Sequence, residues 1–174
     1  MNRALRKALL VSAVVLAVVI VCALAGARIN TTASYPVGLY WEVEAPIEKG
    51  AMVIFCPPES PEFDDAEARG YIGAGFCQGG YGLMIKKVLA ASGDHIKVSD
   101  QDVCVNGEPI LNSKPLNADK AGRRMPRYRV GDYTLGAGQV LLMSDYSPLS
   151  FDARYFGPVG RSQIQSVIRP ILTW

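Results

Sequence analysis

The run Gly82-Leu-Met-Ile-Lys86-Lys87-Val-Leu89 decides how this chain is read. It is short, mostly apolar and followed by the turn signature Ser92-Gly93-Asp94, so it predicts a β-strand rather than a helix. Period-two geometry puts Met84, Lys86 and Val88 on one face and Ile85, Lys87 and Leu89 on the other. Each lysine has apolar neighbours on its own face, and the pattern alone leaves open which amine is buried. A strand lysine is ordinarily a snorkelling surface residue. A buried one is a different chemical object, because an apolar setting disfavours the ammonium form and lowers the pKa until the amine can act as a base.

The same kind of signal recurs outward from this run. Residues 51–56, 95–98, 103–105, 139–143 and 164–168 are short apolar or alternating segments bounded by turn residues, and Asn106-Gly107 is a hairpin signature. A short helix is expected at 64–69, and 112–129 reads as a polar excursion containing Lys114-Pro115 and Arg123-Arg124. The fold class is therefore mostly β.

One exception stands at the N-terminus. Residues 8–27 carry no charge, and twenty helical residues at ~1.5 Å each span about 30 Å, the thickness of a bilayer's hydrocarbon core. Arg3, Arg6 and Lys7 precede this stretch and only Arg28 follows closely, so the positive-inside rule places the N-terminus in the cytoplasm. The expected organisation is a cytoplasmic stub and transmembrane helix over 1–27 and one extracytoplasmic domain over 28–174, single-pass in the inner membrane. A cleaved signal peptide ending at Ala23-Leu-Ala25 is the rival reading, disfavoured because the apolar run is longer than a usual signal core. The net charge of +2 comes from the basic stub, which leaves the remainder close to neutral and suggests no nucleic-acid partner.

Of the four cysteines, Cys22 falls in the apolar stretch and Cys56, Cys77 and Cys104 in the extracytoplasmic part. Cys56 and Cys77 flank the Pro-rich, acidic segment 57–65, and closing such a loop is the ordinary use of a disulfide, although sequence alone does not fix the connectivity. The chain has no CxxC motif and no His/Cys cluster, so neither a zinc site nor any cofactor is expected.

A lysine base needs a nucleophile. The chain has one histidine, His95, at the strand start after Gly93-Asp94, where a surface role is expected, so the imidazole route to hydroxyl activation is nearly closed. Candidate hydroxyls cluster in Thr31-Thr32-Ala-Ser34-Tyr-Pro36-Val-Gly38, and on chemistry alone Thr31, Thr32 and Ser34 compete.

Three segments in order resemble the type I signal peptidases, the serine/lysine endopeptidases of peptidase family S26, and most closely their conjugative-transfer branch, TraF. Asn30-Thr-Thr-Ala-Ser34-Tyr-Pro36-Val-Gly38-Leu-Tyr40 resembles the nucleophile box, Ile85-Lys86-Lys87-Val88 with Gly93-Asp94 the lysine box, and Ser150-Phe-Asp152-Ala-Arg154 the supporting box. Pro36 stands two residues after Ser34 where general signal peptidases place it three after, which points toward a dedicated substrate.

The resemblance implies a signal-peptidase-like β-fold with Ser34 as nucleophile and Lys86 as general base. It also implies an oxyanion held by the Ser34 N–H with the Thr32 hydroxyl, Ser150 orienting the amine, and an Asp152–Arg154 pair bracing the site. A shallow pocket formed partly by Tyr35, Met84 and Ile85 is expected to take a small side chain. The implied partners are the bilayer and a membrane-tethered precursor, most closely a conjugative pilin. An acyl-serine can be opened by water or by the precursor's own amine, so maturation with or without cyclisation stays open. The alternatives are a general type I signal peptidase and a non-catalytic part of a conjugation or secretion apparatus.

Overall fold

Most of the uncharged stretch lies in α1 (Arg3–Leu24), which also takes in Arg3, Arg6 and Lys7, ends short of residue 27, and is long and apolar enough to cross a membrane by length and composition. None of its residues is buried against the rest of the protein. The computed structural model describes residues 2–128 and 131–174.

Eleven strands among the described residues follow: β1 (Ala27–Asn30), β2 (Gly38–Val43), β3 (Met52–Phe55), β4 (Met84–Ala91), β5 (His95–Val98), β6 (Val103–Val105), β7 (Glu108–Pro109), β8 (Gly131–Thr134), β9 (Gln139–Met143), β10 (Val159–Gly160) and β11 (Ile164–Thr173). They form a seven-stranded sheet in the order β1-β2-β11-β3-β4-β9-β10 and a four-stranded sheet in the order β7-β6-β5-β8. All pairings are antiparallel. The mostly β expectation holds.

Local chemistry explains the boundaries. β4 alternates strictly, with Met84, Lys86, Val88 and Ala90 inward. Asn106 and Gly107 both take positive φ, +52° and +88°, the geometry that closes the β6–β7 hairpin. The expected helix at 64–69 starts earlier, as α2 (Pro61–Ala68), because Pro61 suits the first helical position and Glu62 and Asp64 favour the first turn. β11 continues past the expected end at 168, through Pro170. A register shift falls between Pro170 and Leu172 and β3 covers β11 only as far as Val167, which is where a sheet tolerates a residue without an N–H. Gly38 is dictated by the same strand, since a Cβ there would lie 2.2 Å from the Leu172 carbonyl oxygen.

The main core fills one face of the large sheet with Val53, Phe55, Val88, Ala90, Leu141 and Met143. α2 and α3 (Ala153–Phe156) close over it through Phe63 and Phe156, whose rings lie 4.8 Å apart. A disulfide joins Cys56 to Cys77 across α2, and Cys104 is free. The polar excursion is held in shape by Asp119, and its last residue, Arg129, lies outside the described residues. His95 is exposed at the start of β5.

Candidate active site

β1 ends at Asn30, a buried amide that shapes the loop after it. Its Nδ2 donates to the carbonyls of Thr32, Tyr35 and Pro36 at 3.1, 3.0 and 3.0 Å, and its Oδ1 accepts from the Thr32 N–H at 3.0 Å. This one side chain folds residues 31–36 into a tight loop carrying Ser34. The Ser144 hydroxyl then holds the Ser34 carbonyl at 2.6 Å, fixing the peptide plane from the other side.

Lys86 reaches the loop from β4. Its Nζ donates to Ser34 Oγ at 3.0 Å, and the residue is only 2 % exposed. Burial pulls its pKa down from 10.5 to about 8; the nearby Asp152 carboxylate opposes this and the Arg154 guanidinium reinforces it. Lys87 points to the opposite face, where it pairs with Asp145 at 2.6 Å. The ambiguity left by the strand pattern is resolved by packing.

Asp152 and Arg154 are both fully buried and bonded twice, Nε to Oδ1 at 2.7 Å and Nη2 to Oδ2 at 2.9 Å. The guanidinium also donates to the carbonyls of Asn112 (2.8 Å), Lys114, Pro148 and Ser144 (3.3 Å each). Asp152 Oδ2 accepts from the Ser144 N–H at 3.1 Å. A buried pair of this kind costs desolvation, and satisfying nearly every donor offsets that cost while locking three segments together. Its net charge near zero also leaves Lys86 without a dominant counter-ion, so desolvation governs the amine.

Three expected contacts differ. Ser150 Oγ lies 3.3 Å from Ser34 Oγ, so its hydroxyl addresses the serine rather than orienting the amine of Lys86. The Thr32 hydroxyl donates to Asn30 Oδ1 at 2.9 Å, which commits its proton inside the loop and leaves none aimed at an oxyanion. Tyr35 is no part of the small pocket: adjacent loop residues face different ways, and its hydroxyl binds Asp145 Oδ1 (3.1 Å) and the Met143 carbonyl (3.2 Å). Burial and the Asp145 carboxylate push the Tyr35 phenol well above its ordinary pKa.

The cavity beside Ser34 and Lys86 measures about 120 Å³ and is lined by Thr31, Thr32, Tyr71, Ile72, Met84, Ile85 and Phe151, among others. Ile85 reaches it from a position whose side chain packs toward Tyr40, Ile54 and Ile168. β9 pairs with β4 only from Lys87 onward, so no strand among the described residues covers that edge of 84–86. An extended peptide can add there by main-chain hydrogen bonds. Among the described residues no group of three or more His, Cys, Asp or Glu side chains is placed to hold a metal ion.

Asn30 and Ser144 are the site residues that sequence reasoning did not single out. Asn30 had a signal, an amide placed just before a Thr/Ser cluster and thus suited to an Asx-type turn. Ser144 had none beyond its place at the end of β9.

Residues 3–173 match the family model described as signal peptidase, peptidase S26. A plasmid transfer protein TraF from Escherichia coli is 65% identical over 86% of this chain and 84% of its own length. A conjugal transfer protein TraF from Agrobacterium fabrum is 35% identical over 86% and 84%. A crystal structure of a signal peptidase I from Enterococcus faecalis V583 is similar at a TM-score of 0.39 and 16% identity, covering 72% of this chain and 97% of that one.

Proposed function

Because this chain belongs to the signal peptidase family, peptidase S26, among its TraF conjugal transfer members, we propose that it is a membrane-anchored serine endopeptidase working through a Ser34–Lys86 dyad. The observation that carries the reading is the 3.0 Å contact between Ser34 Oγ and an amine that burial holds near a pKa of about 8.

Neutral Lys86 takes the Ser34 proton as Oγ attacks the scissile carbonyl, giving a tetrahedral oxyanion held by the Ser34 N–H. Collapse breaks the peptide bond, and the Lys86 ammonium returns the proton to the departing amine. The acyl-serine is then opened by a water that Lys86 deprotonates, or by the amine of the precursor's own other end. Product mass separates the two, because the cyclic product is one water lighter. Ser150 donates to Ser34 Oγ and steadies its rotamer.

On this reading α1 crosses the inner membrane with the N-terminus in the cytoplasm, and residues 28–174 form the extracytoplasmic peptidase domain. The precursor lies extended along the uncovered 84–86 edge with a small side chain in the 120 Å³ cavity. The preferred substrate is a pilin subunit of a conjugation system, in keeping with the names of the TraF relatives.

The test is precursor maturation in cells carrying Ser34→Ala, Lys86→Ala or Lys87→Ala. The first two accumulate unprocessed precursor; Lys87→Ala, whose side chain faces away, retains substantial activity. Normal processing in Ser34→Ala or Lys86→Ala refutes the dyad.

A further inference from the structure

Loop residues next to Ser34 open onto a second cavity that the chemistry above does not use. It measures about 340 Å³, begins at Ala33, and is walled largely by Leu116, Ala121, Met125, Leu149 and Tyr155. Tyr71 and Phe151 line both cavities, so the two adjoin across these rings with the nucleophile loop at their junction.

The far wall is the polar excursion, and it is built rather than loose. Asp119 accepts from the N–H groups of Ala121 (2.9 Å) and Arg123 (2.8 Å), from Arg123 Nε (2.7 Å) and from the Tyr71 hydroxyl (2.6 Å). The Arg123 guanidinium stands 5.6 Å from the Tyr71 ring centroid and donates to the Arg69 carbonyl, while Arg69 donates to that of Arg124. The Leu116 N–H donates to the Tyr155 hydroxyl at 3.1 Å. A turn of polar residues is thus pinned with half-buried Leu116 and buried Met125 lining the cavity and Ala121 at its exposed rim. Pockets of this kind, apolar with a few fixed polar groups, recognise side chains.

On the binding mode proposed above, residues before the cut take the uncovered β4 edge and the small cavity, which Thr32 and Ser34 line. The larger cavity takes up at Ala33, between those two residues in the loop, and is the adjoining space left for residues after the cut. We infer that this second cavity receives an apolar side chain from the precursor segment directly after the scissile bond, making the 112–126 excursion a specificity element. The inference rests on Ser34 and Lys86 acting as proposed above.

The test uses the full chain in detergent with precursors that carry Ala or Leu at the first positions after a mapped cut. The Leu form is processed with about tenfold higher kcat/KM, the lower end of what a few buried methylenes give. Ala121→Trp, at the exposed rim, brings that ratio near one, and Leu116→Ala, which enlarges the cavity, moves the optimum from Leu to Phe. These opposite shifts are not what misfolding produces. An unchanged order of preference in both variants, a uniform loss for all precursors, or a change confined to residues before the cut overturns the inference. Ser34→Ala runs alongside: if it still processes any precursor the dyad reading fails, whereas an inert Ser34→Ala with unaltered ratios in the two variants sinks only the cavity's role.

Discussion

The pH dependence of cleavage is the sharpest consequence of a lysine base. With a pKa of about 8, about one Lys86 amine in eleven is neutral at pH 7; with the ordinary 10.5 it would be about one in three thousand. Burial therefore raises the neutral population about 300-fold. The same depression has a cost. Between about pH 8 and 10.5 the unfolded chain binds the proton that the folded one has released, so stability rises with pH across that window. Below pH 8 the folded protein carries the full penalty, roughly 3 kcal/mol at ~1.4 kcal/mol per pH unit. The assay is kcat/KM for precursor cleavage from about pH 6 to about pH 10 at constant ionic strength. The expected profile climbs tenfold per pH unit and levels near pH 8, and it is the same in Lys87→Ala. Lys86→Arg should abolish activity at every pH, because a guanidinium does not give up its proton. A flat profile, or an inflection near 10.5, refutes the idea that a desolvated amine drives the reaction.

Two further expectations concern the supports. Asp152→Ala leaves Arg154 buried without its counter-charge and should cost about 3–5 kcal/mol, read as a melting temperature lowered by about 10 °C or more in circular dichroism; an unchanged melt would mean the pair braces nothing. Replacing Cys56 and Cys77 by serine opens a loop with a sequence separation of 21 and should cost roughly 3 kcal/mol by calorimetry. Cleavage should weaken as well, because Tyr71 and Ile72, within that loop, line the small cavity.

Much of this architecture was legible because local and tertiary signals agree. Strands at 95–98, 103–105 and 139–143 coincide with the sequence reading, as their apolar patterns are bounded by strong turn residues. β1 and β2 were not anticipated: Ala27–Asn30 continues directly from an apolar helix, and Gly38–Val43 reads more readily as part of the serine motif than as a strand. The end of β11 was misjudged because proline normally stops a ladder, and only the register shows that Pro170 sits where one neighbour is missing. At the site, period two paired Lys86 with Met84 but left its burial undecided, since burial depends on what covers that face. The positions of Tyr35, Thr32 and Ser150 turn on hydrogen-bond partners more than a hundred residues away or on a single amide, Asn30, and no linear pattern encodes those.

Lys86 is uncharged only to the extent that finished packing keeps water away from it. A copy still folding carries the same serine and lysine, yet its amine stays almost wholly protonated at neutral pH and chemically silent. If the proposed dyad holds, cleavage activity would arrive only with the last tertiary contacts and would fade as soon as the packing around this amine loosens.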